Sequence, residues 1–226
     1  GFLSPAQQAE SADLLMAAAP GQGLLHGGYP DAERKLWAFL PDWLEEEVWL
    51  AGEDCPLCAL SVTLPRGASL THRDYLGALM GLGLTREKIG DILLTGQGAQ
   101  VVVLRETAPI LLSQWTQAGK YPVKLAPLPL DQLTPTPGER KQIRATVASP
   151  RLDAVVSAGF SIPRNRAPDL IRAGRVAVNH RPCDKADKVV AAGDVLTCRG
   201  LGKCVLTELG GTSKRGRLIL ALERYL

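Results

Sequence analysis

The sign of the net charge changes across one proline-rich segment of this 226-residue chain. Residues 139–226 hold 17 Lys and Arg against 8 Asp and Glu, whereas residues 1–138 hold 9 against 15. Three prolines stand among polar residues between 128 and 138, namely Pro129, Pro135 and Pro137. Such a composition is typical of a stiff, extended linker. We therefore expect an acidic body joined to a separate basic module, and a basic module of this kind favours a polyanionic partner such as nucleic acid.

The bulk composition places the chain among globular proteins. Hydrophobic residues make up 46% of it, and no run of 18 apolar residues predicts a membrane helix. The first residues show no basic start followed by an apolar run, so no secretory signal is expected. Five cysteines argue against a disulfide framework and favour a reducing compartment. The expectation is a cytoplasmic monomer without a membrane partner or cofactor.

Cys55 and Cys58 form a CxxC pair that admits three interpretations. Half of a zinc site would need two further ligands, and the other cysteines lie far away in the sequence without that spacing. A redox pair would open a helix after a strand, whereas this pair opens an apolar run. Structural cysteines are the favoured interpretation, with metal binding and redox chemistry left open.

The acidic body reads as two units. In residues 1–58, a helix is expected from Ser4 to Ala19, a short helix capped by Asp31 over residues 33–37, and a strand over residues 47–51. Residues 59–128 show the order β-α-β-β-α-β of a ferredoxin-like or RRM-like sandwich. Its expected elements cover residues 59–64, 71–82, 91–95, 99–104, 108–118 and 123–128. The central run over 99–104 lacks aromatic residues, so base stacking of the RRM type is not expected there.

Helix and strand signals alternate with glycine turns in the basic module, residues 139–226. Ser149 is expected to cap a helix with Pro150 at its first position, and a second helix is expected to end at Gly174. Strands are expected over residues 176–179, 195–198, 203–209 and 217–222, with a turn at His180-Arg181-Pro182. Together these predictions give an α+β fold.

Three blocks of the sequence resemble one family. Arg151-Leu152-Asp153, Leu170-Ile171, Gly174, Val178-Asn179 and Gly193-Asp194 resemble the S4-like RNA-binding domain, a two-helix module with a small sheet. The segments 72–83, 86–92 and 27–34, with the tail Leu209-Gly210-Gly211, resemble the YlmH family of bacterial S4-domain proteins. The resemblance follows nearly the whole chain in order.

The resemblance implies an N-terminal α/β unit (1–58), an RRM-like middle domain (59–128), a linker (129–138) and a C-terminal S4-like domain (139–226). It implies a non-enzymatic protein that binds structured rRNA or tRNA on the ribosome, with the large subunit as the expected partner. Some family members act in quality control of stalled large subunits, and others are associated with photosystem II or cell division. The residues do not choose among these contexts.

RNA contacts are carried over by the resemblance to ten positions, because S4-like domains recognise RNA shape and phosphate. They are Arg151, Arg164, Arg166, Arg172, Arg175, Asn179, His180, Arg181, Lys214 and Arg215. Lys214, Arg215 and Arg217 are either a second phosphate contact or a solubilising hairpin. Family members usually have Ser-Arg-Ser where this chain has Pro163-Arg164-Asn165. Because Pro168 is tolerated only in a first turn, the second helix is expected to start near Asn165.

Three other functions were considered. His72-Arg73-Asp74 matches a kinase triplet by letters only, without the accompanying phosphate loop, and His72 is expected to pack or to lie at a helix start. An RNA-modifying enzyme with a C-terminal S4-like domain is an alternative, although no glycine-rich cofactor loop follows a first strand. A protein-interaction adaptor is the other, since Trp37, Trp43 and Trp49 of the acidic half are either core or anchors; core is favoured.

Overall fold

The computed structural model describes residues 1–18, 23–135 and 139–225. Helices and strands are mixed along the chain, which confirms the expected α+β class. Two compact units comprise Gly1–Thr136 and Pro137–Leu226. The finer division of the first unit at residue 58, and the linker bounds, stay predictions. Within the predicted linker, residues Leu130–Gln132 form a 3-10 turn and Leu133 is buried.

The first unit contains four helices and eight strands among its described residues. In chain order they are α1 Pro5–Ala18, β1 Leu24–His26, β2 Leu36–Ala38, α2 Glu46–Ala51, β3 Leu57–Thr63, α3 His72–Gly81, β4 Ile89–Thr95, β5 Gly98–Leu104, α4 Ala108–Gln114, β6 Gln117–Ala118, β7 Tyr121–Pro122 and β8 Lys124–Leu128. Strands β3, β4, β5 and β8 form one antiparallel sheet in the order β4-β5-β3-β8.

Both faces of this sheet are covered. Alternate side chains of β3 and β5, such as Leu60 and Val101, pack with Tyr75 of α3 and Leu111 of α4 in one core. The intervening side chains face a second core made with the N-terminal residues. That core contains Phe2, Tyr29, Leu36, Trp49, Leu57, Ala59, Val102 and Leu133. The period of two along each strand thus gives the sheet an apolar layer on either side.

Two local predictions in the first 58 residues are wrong. Residues 33–37 do not form a helix, because the Asp91 carboxylate accepts the backbone N–H groups of Glu33 and Arg34, and the chain continues into β2. Residues Glu46–Ala51 form a helix where a strand was expected. A short apolar run such as Val48-Trp49-Leu50 fits either element, and two glutamates in the first turn favour the helix.

The tryptophans divide between core and surface. Trp49 is buried, and half-buried Trp37 donates its indole N–H to Ser11 Oγ at 2.9 Å. Trp43 is 80% exposed, so the core prediction is wrong for this residue. A large apolar side chain so exposed needs another explanation.

The second unit has two helices and six strands among its described residues. They are β9 Arg140–Val147, α5 Leu152–Gly159, α6 Arg166–Arg172, β10 Val176–Val178, β11 Arg181–Pro182, β12 Val195–Cys198, β13 Gly202–Thr212 and β14 Leu218–Tyr225. The strands form one antiparallel sheet in the order β11-β10-β12-β13-β14-β9. No strand was predicted over β9, because its many charged and polar residues give a weak strand pattern, as is common for an edge strand.

Helices α5 and α6 pack on this sheet through an apolar core. Val155 and Val156 of α5 meet Ile171 of α6 and strand residues such as Leu196 and Leu220. The start of α6 at Arg166, with Asn165 at its N-cap, agrees with the expected boundary. The predicted Ser149 cap is wrong: α5 begins at Leu152, and its first N–H groups donate to the carbonyls of Lys188 and Ala186.

Among the described residues, no helix is long and apolar enough to cross a membrane.

Candidate nucleic-acid interface

Helix α6 presents a charged face opposite its core face. Ala167, Leu170 and Ile171 are buried, which leaves Arg166 and Arg172 exposed. Arg172 pairs with Asp169 at 3.3 Å, but both side chains are more than two-thirds exposed. Such a surface pair contributes little stability, so the Arg172 guanidinium can exchange this partner for a phosphate at small cost. Arg164 is exposed in the turn that precedes the helix.

Arg175 follows the helix through a left-handed turn. Gly174 has a φ of 65°, the conformation in which glycine ends a helix most easily. The Arg175 guanidinium donates to the carbonyl of Arg199 at 2.7 Å, and the Arg199 N–H donates to the carbonyl of Arg175. These two bonds join the end of α6 to the end of β12 and bring a second arginine, Arg199, beside the first.

Arg166 and Arg175 both lie near Cys198 at the end of β12. Burial raises the pKa of the Cys198 thiol, and the positive charges of Arg175 and Arg166 act on it in the opposite direction. Both guanidiniums therefore lie near Cys198. A shallow hollow of about 250 Å³ lies here, lined by Gly174, Arg175, Val176, Ala177, Pro182, Thr197, Cys198 and Arg199. We call Arg166, Arg172, Arg175 and Arg199 the arginine cluster.

Arg151 belongs to a different neighbourhood. It lies in the bridge between the β9–α5 connection and Val189, and its guanidinium binds the Asp153 carboxylate at 2.9 Å. That hydrogen bond and charge raise the Arg151 pKa. Arg151 is exposed, but part of its charge is compensated within the protein.

Asn179 and His180 form the two-residue turn between β10 and β11. Both have positive φ, 50° and 65°, as a type I′ hairpin turn requires. The Asn179 side chain donates to the Asp194 carboxylate at 2.7 Å and accepts the Val195 N–H at 2.9 Å. Its amide therefore holds two turns of the sheet together. As an RNA contact, Asn179 stays a prediction, and so do half-buried His180 and exposed Arg181.

Lys214 and Arg215 lie away from the arginine cluster along the sheet. They are exposed in the turn between β13 and β14, whereas Cys198 pairs with Gly202 at the opposite end of β13. At about 3.3 Å per residue, the eleven residues of β13 span roughly 36 Å. The ten predicted positions therefore divide into the helix–turn arginines, the β10–β11 turn, Arg151 and the distant hairpin tip.

Comparisons with known proteins agree with this architecture. Residues 53–132 match the family model described as "Putative RNA-binding domain in YlmH", and residues 150–196 match the S4 domain. The ribosome-associated protein quality control protein P2 of Bacillus subtilis (strain 168) is 37% identical over 229 residues, covering 99% of this chain and 85% of that protein. The chain belongs to the YlmH family of S4-domain RNA-binding proteins. A solved structure, the cell division protein ylmH from Streptococcus pneumoniae, is similar at 18% identity and a TM-score of 0.47, over 58% of this chain and 78% of that one.

In this YlmH-family protein, the matched RNA-binding domain contains the four-stranded sheet. The face of that sheet opposite α3 and α4 is closed by the N-terminal core, including Phe2 and Trp49. No flat aromatic platform is exposed among the described residues of β3 and β5. That this unit does not stack bases as an RRM does stays a prediction.

The CxxC pair lies at the start of β3. Cys55 is buried and Cys58 half-buried, and burial raises the pKa of both thiols. A raised pKa keeps a thiol protonated and disfavours redox reactivity. Among the described residues, no group of three or more His, Cys, Asp or Glu is arranged to hold a metal ion.

Sequence reasoning missed Arg199 and did not distinguish structural arginines from surface ones. The Arg224 guanidinium donates to the carbonyls of Phe160 and Leu201, and that of Arg217 donates to the carbonyl of Thr146. The signal for Arg199 was its place directly after a strand and before Gly200, where side chains meet at a sheet edge.

Proposed function

We propose that this protein binds structured rRNA or tRNA on the large ribosomal subunit, through phosphate contacts made by the arginine cluster. The exposed residues Arg166, Arg172 and Arg175 support this proposal, because Arg166 and Arg175 both act on the Cys198 thiol and Arg172 lies on the exposed face of the same helix as Arg166. Arginine binds phosphate by charge and by two parallel hydrogen bonds, without needing the base sequence.

The proposal also includes a cellular role for the protein. The name of the Bacillus subtilis relative supports a role in ribosome-associated quality control. The protein would act in the cytoplasm as a monomer without a cofactor. Lys214 and Arg215 at the hairpin tip would reach a separate phosphate patch, because β13 carries them away from the arginine cluster.

Crosslinking to RNA in cells, followed by sequencing, tests this function. Wild-type protein should recover reads concentrated on one rRNA or tRNA region. Replacement of Arg166, Arg172 and Arg175 by glutamine should remove that concentration. A matched control replaces three exposed cations of β9, Arg140, Lys141 and Arg144, by glutamine and should keep it, because they lie outside both matched domains. A diffuse RNA profile that none of these changes alters would contradict the proposal.

The protein acts in this proposal by binding and not by catalysis. The chemical state of the recovered RNA region distinguishes a binding protein from an RNA-modifying enzyme. Nucleoside mass spectrometry should find the region unchanged between cells with and without the protein. A modified nucleoside that depends on the protein would refute the non-enzymatic assignment, whatever the crosslinking shows.

A further inference from the structure

The first unit contains a groove that is separate from the arginine cluster. Its volume is about 1230 Å³, and it lies among α2, the end of β1, the end of β8 and the turn Leu130–Gln132. The apolar part of its lining that a partner can contact comprises the half-buried Leu50, Leu128 and Leu130, whereas Leu57, Ala59 and Leu133 line it but are buried. A groove of this size is large enough for several side chains of another molecule.

Carboxylates surround this apolar surface. Glu45, Glu46, Glu47 and Asp131 line the groove and are exposed. Arg105 also lines it, but its guanidinium donates to the carbonyls of Cys55 at 2.7 Å and Gly52 at 3.3 Å. The lining thus presents four carboxylates and one exposed guanidinium that is held by two backbone carbonyls. We call this site the acidic groove.

His26 also lines the acidic groove, next to Glu46. The Nδ1 of His26 accepts the Gly28 N–H at 2.9 Å, and its Nε2 lies 3.5 Å from the Glu46 carboxylate. Burial lowers the His26 pKa, with Glu46 raising it and Lys35 lowering it less strongly. The imidazole is therefore neutral at pH 7 and adds no positive charge to the groove.

Exposed apolar side chains adjoin the acidic groove in sequence. Trp43 is 80% exposed, Phe39 54% and Val48 58%, and all three lie within ten residues of the three glutamates. Exposed aromatic residues beside a concave surface are typical of protein–protein contacts, where tryptophan is a frequent anchor.

Two features select the kind of partner. RNA is disfavoured because its phosphates would meet carboxylates. Addition of a partner strand to the edge strand β8 is also disfavoured, because Pro127 has no N–H to donate and Pro129 follows directly. Recognition must therefore use side chains.

We propose that the acidic groove docks a basic segment of a protein partner, with Lys or Arg side chains on Glu45, Glu46, Glu47 and Asp131 and an aliphatic side chain on the leucine-lined floor. This goes beyond the RNA-binding function, since the two surfaces carry opposite charge and take different classes of partner. The protein would bind RNA through the arginine cluster and a basic protein segment through the acidic groove.

Selection from a random dodecapeptide library on phage, with the full-length chain as bait, tests the proposal. The enriched peptides should combine Lys or Arg with Leu, Ile or Val. Their affinity is then measured by fluorescence anisotropy at low salt. Replacement of Glu45, Glu46 and Glu47 by glutamine should weaken binding roughly tenfold, as expected for three partly screened ion pairs. Removal of exposed carboxylates elsewhere, at Glu139, Asp184 and Glu208, is the matched control and should leave binding unchanged.

A second variant tests the groove by shape. Ala51 is exposed and lines the groove, so Ala51→Trp should obstruct it, whereas Ala6→Trp on the exposed side of α1 should not. Affinity for RNA serves as the folding and specificity control and should be the same in all variants. The proposal would be overturned if no peptides that combine basic and apolar residues were enriched. It would also be overturned if the glutamine variant and the Ala51→Trp variant bound the peptides as tightly as the wild-type chain does. Enrichment of acidic peptides would overturn it as well.

Discussion

Asn179 offers the sharpest test of how the second unit is held together. Asn179 occupies the first central position of the β10–β11 turn and has a positive φ. Its side chain forms hydrogen bonds with Asp194 and Val195, which lie 15 and 16 residues further along the chain. Asn179→Ala removes both hydrogen bonds. It also leaves alanine in the left-handed region, which asparagine tolerates better because its side chain can form local hydrogen bonds. Asn179→Gly removes the same bonds but adopts that conformation without strain.

The magnitudes follow from these contacts. Two hydrogen bonds at about 1 kcal/mol each, and about 1 kcal/mol of backbone strain, give a loss of about 3 kcal/mol in unfolding free energy for Asn179→Ala. Asn179→Gly should lose about 2 kcal/mol. For a unit of this size, about 4–8 °C of melting temperature corresponds to each kcal/mol, so the alanine variant should melt roughly 12–24 °C lower.

Calorimetry on the full chain measures the effect, and tryptophan fluorescence provides an internal control. All four tryptophans lie in the first unit, so their transition should stay at the wild-type temperature. A loss below about 0.5 kcal/mol, or equal losses for alanine and glycine, would refute the reasoning. RNA affinity at a temperature where both variants are folded tests the predicted RNA contact of Asn179 separately. A loss of affinity there would support that contact, and an unchanged affinity would limit Asn179 to its structural role.

Three further predictions concern stability. Arg224→Met removes two hydrogen bonds to backbone carbonyls and should cost about 2 kcal/mol in urea unfolding, with no change in the RNA salt dependence. Gly159→Ala should cost about 1–3 kcal/mol, because the new Cβ would lie 2.9 Å from Cys204 Sγ in the core, and Gly159→Ala with Cys204→Ala should recover part of it. The lowered His26 pKa means that the unfolded chain binds this proton more readily, so stability should fall as the pH drops below about 6.5, and His26→Gln should flatten that pH dependence.

The two helices of the second unit could be predicted closely because their signals are local. Ala167, Leu170 and Ile171 have the spacing of a core face, and Pro168 restricts where the helix starts. The first unit was harder where distant residues decide the local conformation. Asp91 holds residues 33 and 34 in place from 57 and 58 positions away, and no local pattern carries that information.

The candidate interface shows the same division. The resemblance to S4-like domains indicated Arg166, Arg172 and Arg175 as RNA contacts. It did not indicate Arg199, which reaches them only through two hydrogen bonds between α6 and β12. Nor could it separate Arg224, whose guanidinium supports the backbone, from the arginines of the surface. Charge can be counted from a sequence, but the partners of each charge depend on the tertiary fold.

The salt dependence of RNA binding tests the central claim most directly. With the RNA segment recovered by crosslinking, about five phosphate contacts predict a slope of roughly −3.5 to −4.5 in a plot of log affinity against log salt concentration. Replacement of Arg166, Arg172 and Arg175 by glutamine should reduce the slope by about 2 to 3, while the control at Arg140, Lys141 and Arg144 keeps it. A slope near zero for the wild type, or an unchanged slope for the arginine variant, would contradict the claim that this cluster grips RNA.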